Sequence, residues 1–252
     1  MAQPEIQKTK FKSIGIIGGA GPAASAAFHQ KLVATLQSQY RCQADLDFPK
    51  ITHVSLPFRG MSSLGVIDAA QVQEDLLEGL PILKAAKCEV IALPCNSLQG
   101  YRNTIEDCLG IQPIDLVSAV IATLQEQGRT KVTVLGSASL SQDALYSRAL
   151  EKAGIHQISL SSRDQMLVDD IIENAMGFRN MYASVVNLTR LVRKKMEEGS
   201  DAVVLACTEL PLVAELIVPA SEIRMGPYSE LPTHLVDTTQ ILVNATLKAA
   251  SQ

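Results

Sequence analysis

The sequence of 252 residues contains no tryptophan, and aromatic residues make up only 4% of it. It also lacks an excess of positive charge, because 22 Lys and Arg residues face 26 Asp and Glu residues, which gives a net charge of −4. Proteins that bind nucleic acid or anionic lipid usually carry a basic patch or a polybasic segment. The composition therefore predicts no nucleic acid and no membrane among the partners.

Long hydrophobic runs are missing as well. No stretch approaches the ~20 consecutive apolar residues of a membrane-spanning helix, and residues 1–12 lack the apolar centre of a secretory signal. Hydrophobic residues nevertheless make up 47% of the chain and charged residues 19%, a balance typical of a globular protein with a large core. These features predict a cytoplasmic globular protein.

Cysteine pairs of the kind that bind zinc or build a disulfide framework are absent. The five cysteines are an odd number, and no Cys-x-x-Cys pair occurs. The histidines His29, His53, His156 and His234 show no spacing typical of metal ligands. The sequence therefore predicts no metal site, and each cysteine has to be considered by itself.

Short apolar strand patterns alternate with helical patterns along the chain. Strands are predicted at residues 14–17, 51–56, 90–93, 132–135 and 203–205. Helices are predicted at residues 23–37, 69–86, 142–153, 165–175 and 181–198. This alternation is typical of an α/β protein with parallel sheets covered by helices.

Two strand motifs occur twice in the sequence. Residues 14–18 (IGIIG) resemble residues 132–136 (VTVLG), and residues 89–95 (EVIALPC) resemble residues 201–207 (DAVVLAC). One interpretation is that all parallel α/β proteins repeat such units. The other is that the chain consists of two similar halves that face each other.

The second interpretation predicts two domains with a boundary near residues 111–118. The first α/β domain then comprises residues 1–116 together with residues 228–252 and contains Cys95. The second comprises residues 117–227 and contains Cys207.

Cys95 and Cys207 each follow a predicted buried strand directly. Ligands of parallel α/β proteins bind outside the carboxyl ends of the strands, and each thiol is followed there by short polar residues. Free cysteine is also a common small buried residue, so a purely structural role is the alternative. The remaining cysteines lack this context and are interpreted as structural: Cys42, Cys88 and Cys108.

Two opposed thiols suit proton transfer at a carbon atom. One thiol, as thiolate, removes a proton from one face, and the other returns a proton to the opposite face. A free thiol has a pKa near 8.5, so modest help from neighbouring donors makes it available at neutral pH. This chemistry inverts a stereocentre without a cofactor.

Four segments together resemble the aspartate/glutamate racemase family. Residues 14–25 (IGIIGGAGPAAS) resemble its amino-terminal motif, and residues 94–97 (PCNS) its first cysteine motif. Residues 206–212 (ACTELPL) are similar to its second cysteine motif, and residues 236–239 (VDTT) to its closing segment. The likeness extends over residues 13–250, essentially the whole chain.

The resemblance implies a cofactor-independent amino acid racemase with two pseudo-symmetric α/β domains and a site in the cleft between them. It implies Cys95 and Cys207 as the two acid/base residues, a small-molecule amino acid as substrate and a homodimer. It also implies substrate contacts at Ala20, Gly21, Asn96, Ser97, Leu98 and Thr208. Arg59 is a further candidate contact, for which a solvated surface arginine is the alternative.

One position departs from the pattern of members that act on acidic substrates. Those members tend to carry a basic residue where this sequence has Leu167, and Arg163 is the nearest cation. An acidic substrate side chain would then depend on Arg59 or Arg163. We therefore expect a substrate range that is not restricted to aspartate.

Two other function classes remain open at this point. Residues 19–24 fit the loose dinucleotide-binding fingerprint, with Asp45 or Asp47 as ribose contact, although Pro22 removes one N–H from the turn. A non-catalytic ligand-binding relative of the racemases is the other alternative. The role of Glu209 is also open, because it could orient a neighbour at the site or cap the following helix.

Overall fold

A computed structural model describes residues 11–217 and 231–252 of the protein. It confirms the predicted α/β fold, with parallel strands in two sheets flanked by helices. Within these residues, no helix is both long and apolar enough to cross a membrane.

The strands and helices follow one another in the order predicted for repeated βα units. The strands are β1 (Ile14–Gly18), β2 (Ile51–Ser55), β3 (Met61–Ser62), β4 (Gly65–Val66), β5 (Val90–Ala92), β6 (Lys131–Leu135), β7 (His156–Gln157), β8 (Ala202–Leu205) and β9 (Leu235–Asp237). The helices are α1 (Pro22–Gln39), α2 (Ala69–Ala85), α3 (Arg102–Leu109), α4 (Leu116–Glu126), α5 (Ala138–Gln142), α6 (Leu145–Lys152), α7 (Ser162–Met176), α8 (Met181–Glu197), α9 (Glu209–Ala214), α10 (Leu231–His234) and α11 (Thr238–Ala250). Short 3₁₀ turns lie at Asp45–Asp47 and Ser97–Tyr101.

The internal repeat of the sequence has a structural counterpart. In the first sheet, with strand order β2-β1-β5, the glycine-ended strand β1 pairs in parallel with β5, which leads to Cys95. In the second sheet, with order β7-β6-β8-β9, the strand β6, which Gly136 follows, pairs in parallel with β8, which leads to Cys207. Both cysteines therefore lie at the carboxyl end of a strand next to the same type of neighbour.

The described part of the chain packs around three apolar clusters. One lies in the first half, around α2 and Ile91, and another in the second half, around α7, α8 and Val203. The third joins both halves, because it contains Phe28 of α1, Val204 of β8 and Leu242 of α11. This shared core fixes the two sheets relative to each other.

The carboxyl-terminal segment contributes to both halves. Residues 228–252 were predicted in the first domain, but the strand β9 of this segment pairs with β8 in the second sheet. Its helix α11 packs against α1, α4 and β5. The predicted domain boundaries stay a prediction. The strand β9 lies in the sheet of the second domain, although its residues were assigned to the first.

The helix predicted over residues 142–153 is divided in two. Ser137 caps α5 by accepting a hydrogen bond from the backbone N–H of Leu140, and α5 ends at Gln142. Ala144 then has a φ of 52°, which a continuous α-helix does not allow. The second helix, α6, therefore begins only at Leu145.

An ion cluster connects the amino-terminal turn of α7 to the end of α8. The Lys195 side chain is only 2% exposed, and its Nζ lies 2.9 Å from Asp164 Oδ2 and 2.8 Å from Glu198 Oε2. Lys194 also contacts Asp164, at 2.7 Å. Burial by itself would raise the pKa of Asp164, but the hydrogen bonds from the two lysines and Ser161 hold it below its usual value. Asp164 therefore stays charged in the folded protein.

We expect Asp164→Asn to lower the free energy of unfolding at pH 7 by about 3 kcal/mol, because it removes a main counter-charge of a buried lysine. Because the folded-state pKa of Asp164 is depressed, its stabilising effect is present above the unfolded-state pKa of ~3.9 and is lost as the pH falls through the folded-state value. Urea unfolding of wild type and variant at pH 7 and below pH 4 should show the difference shrinking. Asp170→Asn, at an exposed position of the same helix, is the matched control, and an equal loss there would contradict this account.

Candidate active site

A glycine turn follows β1 at the carboxyl end of the first sheet. Gly19 and Gly21 have φ angles of 102° and 77°, which L-residues with a side chain rarely adopt. A Cβ atom at Gly19 would collide with the backbone of Leu56, and Pro22 then begins α1. The sequence Gly-Gly-Ala-Gly-Pro thus allows a turn so tight that Ala20 and Gly21 can line a cavity.

Cys95 lies in a compact loop after β5. Backbone N–H groups of Ser97 and Leu98 point to its sulfur and lower the pKa of the thiol. The buried side chain of Gln99 holds this loop: its Nε2 donates to the carbonyls of Leu93 and Cys95, and its Oε1 accepts from the N–H of Leu116. Gln99 therefore positions the cysteine loop without being able to titrate.

Cys207 lies in the corresponding loop after β8. Its Sγ lies 3.0 Å from Glu209 Oε2 and donates a hydrogen bond to it, and the Thr208 hydroxyl donates to the same oxygen over 3.3 Å. Glu209 is also the first residue of α9. Of the two sequence interpretations of Glu209, the structure shows the bond to a neighbour at the site, whereas the N-cap residue of α9 is Thr208 and no side chain caps the helix.

Hydrogen bonds through buried side chains connect the two cysteine loops. Asn96 Nδ2 donates to Thr238 Oγ1 over 3.4 Å, and Thr238 Oγ1 donates to the carbonyl of Leu205 at the end of β8 over 2.7 Å. The Tyr146 hydroxyl donates to Asn96 Oδ1 over 2.6 Å. Asn96 therefore lies at the cavity with its amide already bonded to α6 and α11.

The two loops face a common cavity of about 200 Å³. Its walls come from both halves of the chain: Gly19, Ala20, Gly21, Phe58, Met61, Ser62, Ser63, Gly65, Cys95, Asn96, Ser97, Ser137, Met176, Ala206, Cys207, Thr208 and Glu209. One water accounts for about 30 Å³ of the liquid, so the cavity has the size of one small molecule.

A hairpin of β3 and β4 crosses from the first half to the second and forms one wall of this cavity. The carbonyl of Leu64 accepts a hydrogen bond from Ser139 Oγ over 2.8 Å, and the Ser63 hydroxyl donates to Glu173 over 3.2 Å. The side chain of Leu64 packs on the apolar cluster of the second half.

Burial dominates the protonation of both thiols. Burial raises the pKa of Cys95 to about 12. The charge of Glu209 adds to this increase, and the hydrogen bonds from the two N–H donors partly offset it. Burial raises the pKa of Cys207 as well, and there the charge and the hydrogen-bond acceptor of Glu209 add to the effect. Burial also raises the pKa of Glu209 itself. Burial and the carboxyl group of Glu209 therefore both favour the neutral thiol form of the two cysteines.

The structure brings most of the predicted site residues together. Cys95 and Cys207 line the cavity, as do five predicted substrate contacts: Ala20, Gly21, Asn96, Ser97 and Thr208. The side chain of Leu98 lies in the core, so only its backbone reaches the thiol.

The two predicted cations are placed elsewhere. Arg59 does not line the cavity, because its guanidinium binds Asp75 over 2.6 Å and Glu78 over 2.7 Å on α2. Arg163 is exposed on α7, and Leu167 packs on the apolar cluster of the second half.

Several cavity residues were missed by the sequence analysis. Ser137 follows Gly136, the residue after β6, as Gly19 follows Gly18 at the end of β1, so the internal repeat contained a signal for it. Four others come from the hairpin, whose short strands carry no recognisable pattern: Met61, Ser62, Ser63 and Gly65. Gly19, Phe58, Met176 and Ala206 complete this set.

The geometry does not favour a dinucleotide site. The fingerprint requires an acidic residue that follows the second strand, whereas Asp45 and Asp47 lie in a 3₁₀ turn before β2. The carboxylate of Asp47 accepts the backbone N–H groups of Gln43 and Ala44. Among the described residues, no cluster of three or more His, Cys, Asp or Glu side chains could hold a metal ion.

Comparison with known proteins gives a consistent result. The chain matches the model of the Asp/Glu/Hydantoin racemase family over residues 17–246. It is 25% identical over 234 residues to the broad specificity amino-acid racemase RacX of Bacillus subtilis (strain 168), a match that covers 93% of this chain and 96% of the relative.

Solved structures share the fold. An aspartate racemase homologue from Pyrococcus horikoshii OT3 superimposes with a TM-score of 0.74 at 20% identity, covering 96% of this chain and 100% of the other. Picrophilus torridus aspartate racemase gives a TM-score of 0.73 at 19% identity, covering 95% and 94%.

The contact between Gly21 and Glu209 generates a prediction. A Cβ atom at Gly21 would collide with Glu209 Oε1, so we expect Gly21→Ala to displace the carboxylate and thereby lower the pKa of Cys207. Cys207 should then react faster with iodoacetamide at pH 7, as measured by mass spectrometry. Gly110→Ala is the matched control, because Gly110 has a similar φ of 69° but open space around it. Gly110→Ala should lower the free energy of unfolding by about 1–2 kcal/mol through backbone strain but leave the alkylation rate of Cys207 unchanged. Equal alkylation rates in both variants would contradict the role of this contact.

Proposed function

The chain belongs to the Asp/Glu/hydantoin racemase family and is a racemase, and we propose that it inverts the α-carbon of an amino acid by proton transfer between Cys95 and Cys207. The observation that carries this proposal is the pair of free thiols at equivalent strand ends, on one cavity of amino acid size. The substrate is similar to aspartate or glutamate, or drawn from a broader range. Neither pyridoxal phosphate nor a metal takes part, and the active protein is a homodimer.

The proposed step is balanced without redox chemistry. The thiolate of one cysteine takes the α-proton, and the electron pair of the broken C–H bond stays on the α-carbon, delocalised into the substrate carboxylate. The thiol of the other cysteine donates its proton to the opposite face. The two sulfurs have then exchanged their protonation states, and the same site is ready for the reverse reaction.

Glu209 gives Cys207 a way to become a thiolate. A thiolate and a carboxylate 3.0 Å apart cannot both be charged at low cost, so the pair shares one proton. When that proton passes from Cys207 to Glu209, the thiolate forms without solvent; the raised pKa of Glu209 makes it a better proton acceptor, whereas the raised pKa of Cys207 opposes the transfer. The ammonium group of a bound amino acid further lowers the pKa of both thiols.

Cys95 is supported differently. No carboxylate bonds to its thiol among the described residues, and its negative form would instead be stabilised by the N–H groups of Ser97 and Leu98. We assign the contacts with the substrate's carboxylate and ammonium groups to the turn residues Ala20 and Gly21 and to Ser97 and Thr208, all of which line the cavity.

We expect Cys95→Ala and Cys207→Ala each to lower the rate of racemisation at least about 100-fold, because general acids and bases typically contribute about 10²–10⁴-fold. Exchange of the α-proton with solvent needs only one base, so each variant should retain exchange of one enantiomer in D₂O, and the two variants should retain opposite enantiomers. The measurement is loss of the α-proton signal by NMR, started separately from each enantiomer.

Cys88→Ala is the control, because Cys88 is a buried free cysteine outside the cavity. All proteins should be dialysed against hydroxylamine first, and activity that returns only with pyridoxal phosphate would exclude the mechanism. The two-thiol mechanism would also be excluded if both variants retained α-proton exchange of the same enantiomer. A wild-type protein that binds amino acids but never exchanges their α-proton would instead be a non-catalytic relative.

We expect Glu209→Gln to slow racemisation at pH 7 by at least about tenfold, because Cys207 loses its proton acceptor. The loss of kcat/KM must be equal in both directions, since the equilibrium constant of a racemisation is one. The rate of α-proton exchange with solvent should nevertheless fall more for the enantiomer whose α-proton faces Cys207 than for the other enantiomer.

The pH profile distinguishes this role from a structural one. Glutamine removes the negative charge that raises the pKa of Cys207, so direct ionisation of the thiol should restore the rate as the pH increases. Glu173→Gln, which removes an exposed carboxylate bonded to Ser63, is the control. A profile parallel to that of the wild type would show that Glu209 has no part in the proton transfer.

A further inference from the structure

We propose that the side chain of the preferred substrate is uncharged, an inference that rests on the proposed racemase function and specifies its substrate class. The proposal follows from the charges, hydrogen bonds and size of the cavity that contains the two thiols.

None of the described residues that line the cavity is a cation that could pair with an acidic side chain. Among the described residues that line it, apart from the cysteines, the only ionisable side chain is Glu209, which is itself negative. The predicted cation Arg59 binds Asp75 and Glu78 with its guanidinium, and Asp75 is only 3% exposed. A substrate side-chain carboxylate would therefore lie close to the carboxylate of Glu209 without a cationic partner among the described lining residues, which is strongly unfavourable.

The hydroxyl groups of the hairpin cannot replace a cation. Ser62 Oγ donates to the carbonyl of Gly65 over 3.2 Å, and Ser63 Oγ donates to Glu173 over 3.2 Å. Each serine has one hydroxyl proton, so both donors are already used inside the protein. Toward an acidic side chain, these serines therefore present hydrogen-bond acceptors rather than donors.

A cationic side chain is disfavoured for a different reason. The carboxylate inside the cavity is that of Glu209, which already accepts hydrogen bonds from Cys207 and Thr208. A cation paired with it would lower its pKa and so weaken it as acceptor for the proton of Cys207. Binding of such a substrate would therefore oppose the proton transfer on which its turnover depends.

The remaining wall suits an apolar or amide side chain of moderate size. Phe58, Met61 and Met176 present a ring and two thioethers to the cavity, and methionine adapts its shape to varied apolar groups. The volume of about 200 Å³ suits a single amino acid.

The test compares substrates that differ in charge but hardly in size. The kcat/KM for α-proton loss in D₂O is measured for aspartate against asparagine and for glutamate against glutamine, with methionine and lysine added. We expect each amide to exceed its acid at least about 100-fold, a factor that corresponds to about 2.7 kcal/mol, and lysine to be slower than methionine. An acid that equals its amide, or lysine as the best substrate, would overturn the inference and leave the racemase proposal intact. A protein that exchanges no amino acid at all would refute the racemase proposal, and this inference with it.

A charge introduced at the wall should change the preference. Met176 lines the cavity and is 38% exposed, so Met176→Lys should fold and bring a cation to the substrate side chain. We expect the ratio of kcat/KM for aspartate to that for asparagine to rise at least about tenfold. Met166→Lys places the same charge on the same helix at a residue that is 61% exposed and does not line the cavity, and it should leave the ratio unchanged. Equal ratios in the two variants would show that this wall does not face the substrate side chain and would overturn the assignment.

Discussion

The hydroxyl group of Thr238 is the contact on which the geometry of the site depends. The two cysteines come from different sheets, and neither sheet by itself fixes where the other thiol lies. Thr238 accepts a hydrogen bond from Asn96, beside Cys95, and donates one to Leu205, two residues before Cys207. All three residues are buried, so water does not compete for these bonds. The shared apolar core around Phe28 and Val204 then makes this arrangement stable.

The pseudo-symmetry of the backbone does not extend to the chemistry of the two thiols. Cys95 is surrounded by backbone N–H groups, whereas Cys207 is bonded to a carboxylate. One thiol is thus prepared to hold a negative charge, and the other is prepared to pass its proton to a neighbour. A substrate binds between two thiols that become thiolates by different routes, although the overall reaction is symmetric.

The sequence predicted those parts of the fold whose signals are local. The strand at residues 14–17 ends at a glycine and the one at residues 90–93 at a proline, and both occur within a residue of the predicted limits. The cysteine sites were predicted because parallel strands place their carboxyl ends at one edge of a sheet. The hairpin at residues 61–66 was not predicted, because its two-residue strands are held by a distant contact with Ser139. The partner of Arg59 was missed for a related reason, since Asp75 and Glu78 approach it only once α2 has packed.

The position of α11 has a consequence for biosynthesis. A chain emerging from the ribosome can form the first sheet, and then β6 and β8, before residue 238 has been made. Until then, Asn96 and Leu205 lack the hydroxyl that connects them, and the face of α1 and α4 that α11 covers is open. The two thiols therefore reach their working positions only after residue 238 has been made, so a polypeptide interrupted between residues 207 and 238 carries both cysteines but no assembled pair.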